Sequence, residues 1–110
     1  QLNAMRHYFT SGVTRSYAFR KQQLLALKKA IIVHEQEIYT ALYRDLKKSP
    51  EECWVTENGF VLSELDHTIS WLSVWMEPER KSTNLLNLPS KSSVVKEPLG
   101  TVLIIGPWNY

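Results

Sequence analysis

The spacing of apolar residues along the first half of the chain predicts two amphipathic helices. Residues 16–33 place apolar side chains on one helical stripe and most of their basic side chains off it. Residues 35–47 repeat the pattern with apolar side chains at steps of four. The stripes consist of Leu24, Leu27 and Ile31 in the first segment and Ile38, Leu42 and Leu46 in the second. A break near His34 stays open, since one long helix satisfies the same spacing.

A third helix is predicted between Ser49 and Pro78. Ser49 can cap it, Pro50 suits its first position, and Glu52 completes a capping box. Apolar residues then recur at steps of three and four, at Leu62, Leu65, Ile69, Leu72 and Met76. Gly59 weakens the middle of this helix, which predicts a kink or a close packing contact there.

Three tryptophans give the third helix more than one apolar face. Trp54, Trp71 and Trp75 add to the stripe described above. A helix that is apolar on several sides is typical of the interior of a larger protein. We therefore expect this helix to have more than one buried face.

Beyond the third helix the pattern changes from helical to extended. Residues 79–98 have no helical period and are rich in Pro, Asn and Ser, which predicts an extended arm with a short strand candidate, "SVVKEP". Gly100 then makes a turn into residues 101–105, "TVLII", a continuous apolar run typical of a strand buried on both faces. Such a strand needs neighbours at both edges, so we expect the 110 residues to be an incomplete part of a larger reading frame.

Composition narrows the function classes only slightly. The chain has 13 basic and 11 acidic residues and a formal net charge of +2, without a run of like charges, so nothing favours nucleic acid or an anionic membrane as a partner. No signal peptide and no stretch long enough to span a bilayer is visible. The single cysteine cannot form an internal disulfide, which fits a cytoplasmic location, and the three histidines are not at metal-ligand intervals.

The stretch that follows the predicted strand, "GPWNY", carries the candidate chemistry. In open α/β sheets ligands bind at the carboxyl ends of the strands, which is where this stretch lies. Gly106 allows close backbone approach, Pro107 fixes the turn, and the Asn109 amide can stabilise developing negative charge. From the residues alone a second interpretation stays open, in which Asn109 caps the next helix and Trp108 is a core residue.

Residues 97–110, "EPLGTVLIIGPWNY", resemble the start of the cofactor-binding domain of aldehyde dehydrogenases. The stretches "FTSGVTRSYAFRKQQLLALKKAI", "IYTALYRDLKKSPEE", "TENGFVLSEL" and "LPSKSSVVKEPLG" resemble its class 3, fatty-aldehyde-dehydrogenase-like branch. The resemblance implies an N-terminal fragment of an α/β parent with a Rossmann-like cofactor domain, the fragment itself being mostly α. It divides the chain into a helical part at 1–78, an oligomerisation arm at 79–98, and the first strand and loop of the cofactor-binding sheet at 99–110.

The resemblance also implies an NAD- or NADP-dependent oxidation of aldehydes to carboxylic acids through a cysteine thiohemiacetal. Asn109 is then the side-chain member of the oxyanion hole, and Tyr110 faces the aldehyde channel. The cofactor cleft is lined by Ile105, Gly106, Pro107 and Trp108. The arm at 79–98 is expected to pair across a homodimer.

The family's nucleophilic cysteine, general-base glutamate and ribose contacts are expected beyond residue 110. We therefore expect the fragment alone to be inactive and to bind no cofactor tightly. Cys53 is not the nucleophile, because Glu51 and Glu52 beside it oppose a thiolate and no family motif matches there. Packing and salt-bridge roles are expected for Arg15, Arg20 and Gln23, and a polar-face position for His67.

An alternative from a different class is a small helical interaction module whose apolar tail docks into a partner. The buried-type strand and "GPWNY" argue against it, because a helical adaptor has no need of either. The identity of the aldehyde, the choice between NAD and NADP, and a membrane anchor elsewhere in the parent stay open.

Overall fold

The computed structural model describes residues 1–106 of the chain. Within this range the helices are α1 (Leu2–Thr10), α2 (Tyr17–Val33), α3 (Glu35–Leu46), α4 (Pro50–Cys53) and α5 (Gly59–Met76). A π-helical turn, Trp54–Asn58, joins α4 to α5, and 3₁₀ turns lie at Val13–Arg15 and Leu85–Asn87. Two short strands, β1 (Glu79–Lys81) and β2 (Ser92–Val94), follow the helices.

The two helices predicted for residues 16–33 and 35–47 are confirmed as α2 and α3. Ser16 caps α2, its Oγ accepting the backbone N–H of Phe19 at 3.2 Å. His34, with φ −99° and ψ 15°, interrupts the helical run, which settles the open question in favour of two helices. α3 ends at Lys47, whose φ of 59° lies in the left-handed region common just past a helix end.

The predicted third helix starts where its capping signal lies. The Ser49 hydroxyl oxygen accepts the backbone N–H of Glu52 at 3.2 Å, and Pro50 is the first helical residue. The predicted disturbance at Gly59 is confirmed, since the π-helical turn ends there and divides the helix into α4 and α5. A single extra residue in one helical turn locally rotates the side chains that follow.

One helix, α1, was not predicted from the sequence. Its buried contribution is small, because none of its residues is fully buried and only Phe9 is even half-buried. The chain leaves α1 through Ser11 and Gly12, and the φ of 79° at Gly12 reverses its direction toward α2. α1 is thus held by the turn and by a few contacts rather than by a deep core.

The described helices pack around a small core. α5 buries Leu62, Leu65 and Leu72, and α4 buries Cys53. Two ion pairs join the elements: Lys28 of α2 to Asp66 of α5, and Lys48 after α3 to Glu57 of the π-helical turn, each at 2.5 Å. The radius of gyration is 19.6 Å, whereas a compact domain of this length has about 13 Å. The chain is therefore elongated, with much apolar surface uncovered.

The expectation of several buried faces on α5 is not met within residues 1–106. Trp54, Trp71 and Trp75 are 45%, 48% and 41% exposed. The physical reason is that α2 covers the leucine stripe of α5, while nothing among the described residues lies against the tryptophan side. The second apolar face exists in the sequence and is uncovered in this part of the chain.

The arm contains a short antiparallel hairpin. β1 pairs with β2 in the register Glu79 to Val94, Arg80 to Ser93 and Lys81 to Ser92. The Thr83 Oγ1 accepts the backbone N–H of Ser92 at 3.0 Å, which closes the hairpin beside the pairing. The strand candidate beginning at Ser93 is confirmed as part of β2, whereas the boundaries 79–98 and the role of the arm stay predictions.

Residues 101–105 differ from the predicted buried strand. They belong to no strand, and Leu103, Ile104 and Ile105 are 80–86% exposed. A strand exists only through hydrogen bonds to a neighbour, and the described residues place none beside this segment. The turn predicted at Gly100 is confirmed by its φ of +112°.

Candidate functional site

The structure describes only the first two residues of the predicted cofactor-binding and catalytic stretch. Ile105 is exposed, and a Cβ atom at Gly106 would meet nothing within 4 Å. These two positions are not gathered into a pocket with other described residues. The remaining predicted site residues, Pro107, Trp108, Asn109 and Tyr110, lie outside the described part of the chain.

The chain approaches this stretch by crossing the end of α1. At Gly100 a Cβ atom would lie 3.5 to 3.9 Å from three carbon atoms of the Phe9 ring. The adjoining turn is held by Arg20, whose Nε donates to the backbone oxygen of Thr14 at 3.0 Å. Gly100 and Phe9 therefore meet directly at the base of the segment that leads to the candidate site.

Two grooves border this crossing. One, of about 610 Å³, lies toward the end of α5, and the other, of about 450 Å³, lies along α1. Phe9, Arg20 and Pro98 line both, so the two spaces meet at the crossing. Arg15 and Lys96 add positive charge to the larger groove, where Glu97 is the acidic lining residue.

Cys53 occupies a structural position. Its exposed fraction is 0%, so its thiol has no route to a substrate in this structure. The pKa of the nearby Tyr39 hydroxyl is raised, first by desolvation and then by a hydrogen bond to the Glu35 carboxylate. The prediction that Cys53 is not a nucleophile agrees with this burial.

The other singled-out residues also take structural positions. Arg20 ties α2 to the preceding turn, which is the packing role predicted for it. His67 is exposed, with ring centroids of Trp71 and Trp75 at 6.1 and 5.7 Å. Within residues 1–106 no group of three His, Cys, Asp or Glu side chains is arranged to hold a metal ion.

Sequence reasoning missed two residues at notable positions, Phe9 and Asn58. Phe9 could have been found from the apolar spacing of Leu2, Met5 and Phe9, which is helical. Asn58 is 5% exposed, and its side-chain Nδ2 has no hydrogen-bond partner among the described residues. No local signal distinguishes this asparagine, because its burial follows from the π-helical turn.

Comparison with known proteins decides the family. The model of the aldehyde dehydrogenase family matches residues 2–110. The chain belongs to the aldehyde dehydrogenase family. The predicted recognition is thereby confirmed, and the alternative of a small helical interaction module has no support.

Similar aldehyde dehydrogenases come from plants, bacteria and mammals. An aldehyde dehydrogenase of Craterostigma plantagineum is 39% identical over 109 residues, which is 99% of this chain and 23% of that protein. The 4,4'-diaponeurosporen-aldehyde dehydrogenase of Staphylococcus aureus is 42% identical over 94% of this chain and 22% of that protein. The family 3 member B1 of Rattus norvegicus is 39% identical over 100% of this chain and 24% of that protein.

A solved structure supports the fold. The substrate-bound state of Staphylococcus aureus AldH superposes with a TM-score of 0.85 at 35% identity, covering 88% of this chain and 21% of that one. The mostly helical arrangement is thus that of part of an aldehyde dehydrogenase. The chain spans less than a quarter of the length of the relatives described here. In residues 1–106 no helix combines the length and apolar character needed to cross a membrane.

Proposed function

We propose that the full-length protein oxidises aldehydes to carboxylic acids with NAD or NADP, and that this chain supplies the oxyanion-stabilising amide. The observation that carries the proposal is the family match over residues 2–110, which includes the "GPWNY" stretch. The structural likeness to an aldehyde dehydrogenase at a TM-score of 0.85 supports it. The cysteine nucleophile and the general-base glutamate would come from outside these 110 residues.

Asn109 acts where charge develops. When a thiolate attacks the aldehyde carbon, the carbonyl oxygen becomes an oxyanion that requires hydrogen-bond donors. The Asn109 side-chain N–H₂ donates to that oxygen and lowers the barrier to the thiohemiacetal. A preorganised donor of this type is worth on the order of 10²–10³ in rate.

The described end of the chain fits a nicotinamide cofactor. The backbone at Gly106 has open space where a Cβ would project, so a planar or charged group can approach it closely. Ile105 presents an exposed apolar side chain that can cover a ring. When bound, the cofactor accepts the hydride from the thiohemiacetal carbon, while Ile105, Gly106, Pro107 and Trp108 line its cleft.

The isolated chain is expected to be inactive. Its one cysteine, Cys53, is fully buried and lies beside two glutamates that oppose a thiolate. Without an external nucleophile, Asn109 has no oxyanion to stabilise. A purified 110-residue chain should show no aldehyde-dependent reduction of NAD or NADP.

Dimerisation through the arm is part of the same proposal. The β1–β2 hairpin is exposed, and Leu85 and Leu86 between its strands are 81% and 91% exposed. Exposed strand edges with adjacent apolar side chains are suited to pairing with another chain. A full-length variant with Leu85 and Leu86 changed to Ser should be more monomeric by light scattering; an unchanged dimer would exclude the arm.

The direct test of the catalytic role is Asn109→Ala in the full-length enzyme. Turnover should fall about 10²–10³-fold while the affinity for the cofactor, measured by fluorescence titration, stays nearly the same. Asn87→Ala, an exposed amide in the arm, is the matched control and should keep full turnover. Unchanged turnover in Asn109→Ala would remove the oxyanion role.

A further inference from the structure

We propose that Phe9 and Gly100 are positioning residues for the oxyanion-hole amide, acting through the direction in which the chain leaves the helices toward Asn109. The inference rests on the proposed role of Asn109. It assigns to α1, which the sequence pattern did not predict, a function in the enzyme's chemistry.

The contact between the two residues is specific in geometry. Gly100 has a φ of +112°, a value that side-chain-bearing L-residues rarely adopt, so glycine is required for this turn. The Phe9 ring lies against the open side of Gly100, with Cε1, Cδ1 and Cζ at 3.5, 3.6 and 3.9 Å from the place of a Cβ. The ring thereby limits the space through which the turn can move.

Phe9 is itself held by the turn after α1. Its backbone oxygen accepts the N–H of Gly12 at 3.1 Å, and the Gly12 oxygen accepts the N–H of Arg15 at 3.0 Å. The neighbouring Tyr8 ring meets the Phe19 ring of α2, with centroids 6.3 Å apart. The position of the Phe9 ring is therefore tied to the start of α2.

The contact lies where the outgoing direction is determined. Thr101 is half-buried, whereas Leu103, Ile104 and Ile105 project away from the described residues and are at least 80% exposed. Nine residues separate Gly100 from Asn109, which is about 30 Å of extended chain at ~3.3 Å per residue. Over that length a change of ~5° in direction moves the far end by about 2–3 Å, and a misplacement of ~1 Å at a reacting centre can cost about 10²-fold in rate.

The first experiment compares two truncations in α1 of the full-length enzyme. Phe9→Ala should lower kcat about 10–100-fold per active site, counted by titration of the nucleophilic cysteine, because the amide is no longer held in place. Leu2→Ala removes an exposed apolar side chain from the same helix and should stay within about twofold of the parent. Cofactor affinity should be the same in both variants.

The second experiment is a double-mutant cycle with Asn109→Ala, which a merely structural role would not pass. If Phe9 acts through the amide, Phe9→Ala should cost less than about twofold once Asn109 is alanine. Gly100→Ala should show the same loss of effect, and Phe9→Tyr should recover most of the turnover. These two variants keep the test available if Phe9→Ala does not fold.

The outcomes separate the inference from the function on which it rests. A full loss of rate from Phe9→Ala in the Asn109→Ala background, or no loss in the parent background, overturns the positioning role. An Asn109→Ala enzyme with unchanged turnover overturns the proposed function instead. A drop in the number of titratable sites with normal kcat per site assigns Phe9 to folding and also overturns the inference.

Discussion

A Cβ atom at Gly59 would lie 2.6 Å from the backbone oxygen of Trp54 and 3.2 Å from the Trp54 ring. The same oxygen accepts the backbone N–H of Gly59, which closes the π-helical turn. The absence of a side chain at Gly59 therefore permits the wider turn between α4 and α5. This turn in turn sets the direction in which α5 presents its leucines to α2.

Gly59→Ala should destabilise the protein. In an ordinary helix interior this change stabilises by about 1 kcal/mol, but here the added methyl meets a backbone atom that cannot rotate away. Overpacking of this kind costs about 1–3 kcal/mol. Chemical denaturation followed by circular dichroism measures the effect, and Ser63→Ala, on an exposed position of α5, is the control. A Gly59→Ala protein more stable than the parent would contradict the role given to the turn.

Glu51 should make the stability depend on acid pH. Hydrogen bonds from its own backbone N–H and then from the Ser49 hydroxyl lower the pKa of the Glu51 carboxyl below its ordinary value of 4.5. Because folding favours the carboxylate, the stabilisation is complete above pH 4.5 and is lost as the pH falls through the lowered folded pKa. Glu51→Gln should flatten this part of the denaturation-versus-pH curve. Glu64→Gln, an exposed carboxylate on α5, should leave it unchanged.

The two ion pairs that join the helices should differ in importance. The Lys48 side chain is 11% exposed, whereas that of Lys28 is 29% exposed and faces Asp66, which is 59% exposed. Lys48→Ala leaves the Glu57 carboxylate in a partly buried place without this cation and should cost about 1.5–3 kcal/mol. Lys28→Ala should cost less than about 1 kcal/mol. Equal losses in the two variants, measured by urea denaturation, would contradict this ordering.

Much of the helical part was predictable because its signals are local. The stripe of Leu24, Leu27 and Ile31 and the cap at Ser49 each depend on residues within two turns, and the structure contains both elements. α1 was missed because its one half-buried side chain, Phe9, gains its contact from Gly100, far along the chain. A long-range contact of this kind leaves no pattern in a short window of sequence.

The candidate site was predictable only as a sequence of chemical groups. Gly100 was recognisable as a turn, and the apolar run after it as strand-forming, but a strand needs a neighbour that residues 1–106 do not provide. Similarly, the tryptophan face of α5 was correctly identified as apolar, while its burial depends on atoms that lie elsewhere. The roles of Ile105, Gly106, Pro107, Trp108, Asn109 and Tyr110 stay predictions for the same physical reason.

The isolated chain should self-associate through its exposed apolar segment. Leu103 and Ile104 are at least 84% exposed, and the backbone around them is unpaired among the described residues. Contiguous apolar side chains next to unpaired backbone favour contact with another copy. Ile104→Lys should reduce association in size-exclusion chromatography with light scattering, while Thr10→Lys adds the same charge at an exposed polar position and should not. A parent chain that stays monomeric as its concentration rises, or an equal effect of both lysines, would exclude this segment as the contact.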